Sequence, residues 1–248
     1  MRVALIQAQL EPKSRARNLQ RLIAAIDRVA GCTPAPDVLV LPGSCDTGGA
    51  ALHRYWTEAC AETACATLAW KAREWGVYIV AGLHRRREEQ WRTYAALFDP
   101  DGDIVARSGE LHPAVPHPSM IGKDDALGIA TWTTPHGDIT VLDPVCFTSS
   151  LEIKARPDCL ALLAIPVPVV HRADDRKSLE ENLKALHEGT VGDRMYVCVA
   201  SPVTAEMSAG GPRGASTYLR GPGGALVATA KEAMGDVVMT EIPLKAVA

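Results

Sequence analysis

Hydrophobic positions along the chain fall into short runs of two kinds, and the alternation between them predicts the fold class. Val3 to Ile6 is a continuous apolar run of the length of a buried strand. Leu19, Leu22, Ile23, Ile26 and Val29 then recur at helical spacing, with Asn18 placed to cap or precede that helix and Gly31, Pro34 and Pro36 to stop it. Val38 to Leu41 is a second buried strand, broken by Pro42-Gly43 and delivered into the polar stretch Ser44 to Gly49. The Ala-rich segment from about Ala50 to Trp75 reads as a long helix, ended by Gly76, and Val77 to Ala81 as a third strand.

Hairpins follow. Leu83 to Glu89 reads as a charged turn, with Arg85, Arg86 and Arg87 in solvent. Thr93 to Phe98 is a strand closed by Asp99-Pro100-Asp101-Gly102, a strong turn signal, with Ile104 to Arg107 as its partner. Pro113 to Gly128 is an irregular loop rich in Pro, Gly and charge. Ile129 to Thr133 and Ile139 to Leu142 flank the turn 135–138 as a second hairpin. Leu160 to Ile165, Tyr196 to Ala200, Ala215 to Leu219 and Val237 to Ile242 complete the strands, and Gly221 to Gly224 is a turn. Ser178 with Glu181 forms a capping box for a helix to about Glu188. Strands alternating with helices, then hairpins, predict one α/β domain over residues 1–248, with a mixed sheet or two sheets and helices outside.

Composition removes several function classes. A net charge of −3 leaves no basic face for nucleic acid. No apolar run approaches the roughly 20 residues that span a bilayer, so no membrane partner is expected. The opening Met1 to Ala8 reads as a strand rather than a signal peptide. Seven scattered cysteines with no Cys-x-x-Cys pair suggest neither a disulfide framework nor a zinc ribbon, and a reducing cytoplasm is the expected location. Cys60 and Cys65 read as apolar filler in a helix.

Individual residues carry weaker signals. Cys45 and Cys146 are each either buried filler or a nucleophile, and a reactive thiolate needs a cation or imidazole nearby. Glu110, His112 and His117, with Asp143, have the right donors for a metal, but an irregular loop gives them no fixed spacing, and no metal or other cofactor is expected. Ser208 to Arg213 lacks a phosphate-loop pattern and reads as a surface loop. Trp56 follows the polar stretch at Thr47-Gly48 and is expected in the core.

Taken together, the turn and strand-end motifs resemble the nitrilase (carbon–nitrogen hydrolase) superfamily. Leu41, Pro42, Thr47 and Gly48 match its Leu-Pro-Glu strand end and following Thr-Gly pair. Residues 97–104 resemble its Asp-Pro-x-Gly hairpin, residues 122–137 its Thr-Pro-x-Gly segment, and residues 214–224 its late Gly-x-Ser and turn. The resemblance implies an α-β-β-α sandwich, commonly a homodimer with the sheets extended across the interface. It also implies acyl transfer through a Cys–Glu–Lys triad, in which a base activates the thiol and a cation stabilises the oxyanion.

This chain departs from that pattern at all three positions. The carboxylate position holds Gly43, which has no side chain to accept a proton. The amine position holds Glu110, two residues before the matching His112, and a carboxylate facing a forming oxyanion opposes the reaction. The nucleophile position holds Pro144; a two-residue slip would place Cys146 there and preserve strand alternation, but shortens the spacing to Pro166. Supporting polar positions fall on Thr93, Gly192-Asp193 and Ser201. The expectation is a pseudoenzyme on the nitrilase scaffold, binding a small molecule near Gly43, Cys45, Glu110, His112, Pro144 and Cys146. Its other expected partner is a second subunit, in a homo-oligomer (a dimer) or a heteromer with a related chain. The alternative is a hydrolase or acyl transferase rebuilt on Cys146, Glu110 and His112, with a lyase or isomerase using Glu110 as a third course.

Overall fold

The computed structural model describes residues 1–11, 14–48, 58–87, 90–108, 129–142, 161–166, 181, 183–184, 195–203, 217–230 and 236–244. Their strands form two six-stranded sheets. The first has the order β12-β1-β2-β3-β4-β5, from Val237–Glu241, Arg2–Ile6, Val38–Val40, Tyr78–Arg87, Gln90–Phe98 and Ile104–Arg107. The second has the order β11-β10-β9-β8-β7-β6, from Leu226–Thr229, Tyr218–Arg220, Met195–Ala200, Ala161–Pro166, Gly137–Leu142 and Ile129–Thr134. Each sheet has a parallel centre, β1-β2-β3 and β7-β8-β9, flanked by antiparallel strands. The architecture is the α-β-β-α sandwich expected.

Side-chain alternation explains the layers. Along β1, Val3 and Leu5 enter the core between the sheets with Val38, Val40, Val80, Ile139, Val141 and Leu162. Ala4 and Ile6 point the other way, into a core shared with the helices. Helix α1, Arg15–Ala30, covers that face with Leu22, Ile26, Val29 and Ala30, and helix α2, Glu58–Trp75, with Ala64, Leu68 and Ala72. Strands buried on both faces explain why the central runs are apolar without alternation. Residues 181, 183 and 184 are helical and Leu183 is buried. A parallel bridge between Gln9 and Val203 ties the chain after β1 to the chain after β9, with Leu10 N–H donating to the Val203 carbonyl at 2.8 Å. Among the described residues, no helix is long and apolar enough to cross a membrane.

Several expectations need correction. Leu83 to Arg87 is not a turn: β3 continues to Arg87 and pairs with β4 down to Arg87↔Gln90, because the ladder supplies backbone hydrogen bonds that outweigh the charged sequence. Strand β4 accordingly starts at Gln90, not Thr93. Helix α1 starts at Arg15, and Asn18 lies inside it, fully buried, rather than capping it. Strand β11 is not announced by the sequence, because its residues are largely exposed and show no buried alternation. The described part of the Ala50–Trp75 helix begins at Glu58.

Candidate functional site

The polar stretch after β2 is held by the neighbouring strand before it turns away. Leu41 N–H donates to the Val80 carbonyl at 2.8 Å, Gly82 N–H to the Pro42 carbonyl at 3.4 Å, and Cys45 N–H to the Gly82 carbonyl at 3.3 Å. Gly43 and Gly82 meet backbone to backbone: a Cβ on Gly82 would lie 2.5 Å from Gly43 Cα. Ser44 then takes φ 51°, the one non-glycine residue of positive φ among those described. Its carbonyl accepts from Thr47 N–H at 3.2 Å and Gly48 N–H at 2.9 Å, closing a single tight turn.

Helix α1 fastens the other side. Asn18 Oδ1 accepts from Glu11 N–H at 2.8 Å, while Nδ2 donates to the Glu11 carbonyl at 2.8 Å and the Asp46 carbonyl at 3.1 Å. Gly48, at φ 66°, passes so close that a Cβ there would meet the Glu11 carbonyl oxygen at 2.6 Å. Asn18 thus clasps two backbone segments, at Glu11 and Asp46, to helix α1, which accounts for a buried amide inside a helix.

Within this corner lies a buried polar group. Asp46 Oδ2 accepts from Arg15 Nε at 3.1 Å, and its Oδ1 is 3.6 Å from His84 Nδ1. The opposite ring nitrogen, His84 Nε2, is 3.3 Å from Ser44 Oγ, with either atom able to donate. Ser44, Asp46 and His84 are all buried. Burial pushes the Asp46 carboxyl pKa up, but His84 and the Arg15 guanidinium outweigh it and hold the group below the usual carboxylate range.

Cys45 sits between Ser44 and Asp46 but faces the helix-side core, wholly buried. Burial, then the Asp46 charge, push its thiol well above the ordinary range, so it is a packed side chain and not a thiolate. Cys198 in β9 is likewise buried with a raised pKa, by burial alone. Cys65 is half-buried against the helix-side core.

Of the residues singled out from sequence, Gly43 and Cys45 lie in this corner. Glu110, His112, His117, Asp143, Pro144 and Cys146 lie outside the described residues, as do Trp56 and the loop 208–213. Thr93 pairs with His84 across β3 and β4, and Ser201 follows β9 beside Thr217, whose hydroxyl accepts from Ser201 N–H at 3.0 Å. Sequence reasoning missed Arg15, Ser44, Asp46 and His84. The available signal was Ser44-Cys45-Asp46 itself, two polar residues flanking a thiol at a strand end; His84 could be joined to them only through the β2–β3 register. Among the described residues, no group of three or more His, Cys, Asp or Glu could hold a metal. An open groove of about 370 Å³ lies at the far end of α1, lined by Arg28, Val29, Cys32, Asp236, Val237 and Met239.

The arrangement of strand end, tight turn and paired sheets matches a known family. The carbon–nitrogen hydrolase family matches residues 2–144, more than half of the chain. The chain belongs to that family. Curated proteins yield no match. Solved structures of the amidase from Nesterenkonia sp. AN1 share the fold. One, a mutant carrying the acetamide moiety of fluoroacetamide at its active-site cysteine, has a TM-score of 0.69 and 17% identity, covering 98% of this chain and 90% of that one. Another, a cysteine-to-serine mutant described as from the nitrilase superfamily, also has a TM-score of 0.69 and 17% identity, covering 98% and 92%. The amidase after His-tag removal gives 0.68 and 16%, covering 98% and 93%. In this carbon–nitrogen hydrolase chain, the residue after Leu41-Pro42 is a glycine packed against another glycine.

Proposed function

We propose that this carbon–nitrogen hydrolase chain is a pseudoenzyme toward amides and nitriles and acts by binding. It holds a small ligand near Gly43, Glu110 and Pro144, or a second subunit of the same or a related kind, in the cytoplasm. The observation that carries this reading is Gly43. The position that the family resemblance assigns to the general base offers no side chain, and the backbone there is packed on Gly82. Glu110 and Pro144 at the other two triad positions support it from sequence. The buried Ser44, His84 and Asp46 favour a retained ligand site over a purely structural role, because an apolar corner would be cheaper to bury. Purified protein assayed on a broad amide and nitrile panel is expected to show no turnover. Hydrolysis abolished by replacing Cys146 or Cys45 would overturn the proposal.

The enzyme reading, a hydrolase or acyl transferase rebuilt on Cys146, Glu110 and His112, draws on the fold neighbours, one of which carries a covalent adduct at an active-site cysteine. It requires an intact-mass shift mapped to Cys146 on incubation with an electrophilic substrate such as fluoroacetamide.

A further inference from the structure

One imidazole in the β2–β3 corner is addressed at both ends. Ser44 Oγ lies 3.3 Å from His84 Nε2, and Asp46 Oδ1 lies 3.6 Å from His84 Nδ1. The order hydroxyl, imidazole, carboxylate is that of a relay in which a carboxylate orients the ring and the ring takes the hydroxyl proton. The carboxylate–imidazole approach of 3.6 Å is longer than a hydrogen bond and must shorten for Asp46 to orient the ring, as catalytic contacts do when substrate binds. Arg15 occupies the other oxygen of Asp46, which leaves Oδ1 facing the ring. A second observation is independent of the distances. Ser44 stands at φ 51° on a tight turn at the carboxyl end of a parallel strand. Backbone strain of this kind concentrates at functional sites, and a sharp turn after a strand is a known way to present a nucleophilic serine.

We propose that Ser44 is an acyl-accepting nucleophile for small activated esters, with His84 as its base and Asp46 as the positioning carboxylate. The inference goes beyond the binding reading above, which concerns amides and nitriles. Among the described residues the cation of this corner is Arg15, and it is engaged by Asp46, so the reaction proposed is with esters whose leaving groups depart with the least assistance. With the imidazole proton on Nδ1 toward Asp46, Nε2 accepts the Ser44 proton as Oγ bonds to the ester carbonyl carbon. The carbonyl π pair moves to oxygen. When it returns, the bond to the leaving oxygen breaks, and the proton on Nε2 goes to that oxygen. Water then repeats the sequence, releasing the carboxylic acid and restoring Ser44.

The test uses the full chain and an alkyl fluorophosphonate, from which serine Oγ displaces fluoride, the serine proton leaving as HF. A single adduct on Ser44 is expected by intact mass and peptide mapping, with none on heat-unfolded protein. Ser44→Gly, which suits the positive φ and keeps the fold, should give no adduct, and His84→Ala should slow labelling about 100-fold. Asp46→Glu should recover more of the labelling rate than an equally stable Asp46→Asn. An unlabelled native protein, or labelling unchanged in Ser44→Gly or His84→Ala, would overturn the proposal and leave the binding reading intact. Conversely, cysteine-dependent amide turnover would overturn the binding reading and leave Ser44 standing.

Discussion

Gly82 is a residue that the corner cannot replace without moving backbone. Its missing Cβ is filled by the Gly43 backbone at 2.5 Å, and backbone cannot rotate aside as a long side chain can. Gly82→Ala should cost about 3 kcal/mol or more by overpacking, read as a fall of roughly 6–12 °C in Tm for a chain of this size. Asp46 gives a pH signature. Its folded pKa is depressed, so its contribution is present above the unfolded value of about 3.9 and is lost as pH falls through the lower folded value. Asp46→Asn, which breaks a buried ion pair, should cost about 3 kcal/mol near neutrality. Urea midpoints of the two proteins should converge as the pH is lowered below about 4; a constant gap would show that the carboxylate charge is not what stabilises the corner.

At the scale of elements, helices α1 and α2 are joined by one buried cation. Lys71 Nζ donates to Asp27 Oδ1 and Glu74 Oε2, both at 2.6 Å, and Trp75 Nε1 donates to the same Asp27 oxygen at 2.8 Å. The carboxylates are part-exposed, so the pairs are screened, while the Lys71 stem is packed. Lys71→Met should cost about 1 kcal/mol or less, and less again in high salt. Lys71→Ala should cost about 2 kcal/mol, with the added loss insensitive to salt because it is packing. Thermal melts at two ionic strengths separate the two terms. The same contrast between local and distant partners decides what could be read from sequence. Strand β5, Ile104–Arg107, was legible residue for residue because its turn signal is adjacent. The second half of β3 was not, because its charged residues are strand only by virtue of pairing with β4. The corner was half legible for the same reason. Leu41 to Gly48 announces a strand end, but His84 comes beside it only through the parallel register Val38↔Tyr78, set by sheet assembly rather than by neighbours in sequence.

At the scale of the whole molecule, two stacked sheets leave two pairs of edge strands, β5 against β6 and β11 against β12. Unpaired strand edges invite further pairing unless covered, and exposed apolar side chains mark where cover is needed. The β11–β12 side carries Leu226 at 56% exposure, Val227 at 45% and Met239 at 44%, three large apolar residues on adjacent edge strands. The opposite side has Trp132 on β6, at 41%. Covering such residues by a second copy removes apolar surface from water at about 25 cal/mol per Å², which makes an assembly the expected solution state. Light scattering across a dilution series should give the mass of two chains or more. Leu226→Lys combined with Met239→Glu should move the protein toward the single-chain mass while leaving its far-ultraviolet circular dichroism unchanged, since neither side chain belongs to a core. A wild-type chain that stays at single-chain mass throughout would count against assembly. A double variant that assembles as the wild type does would place the contact elsewhere than the β11–β12 edge.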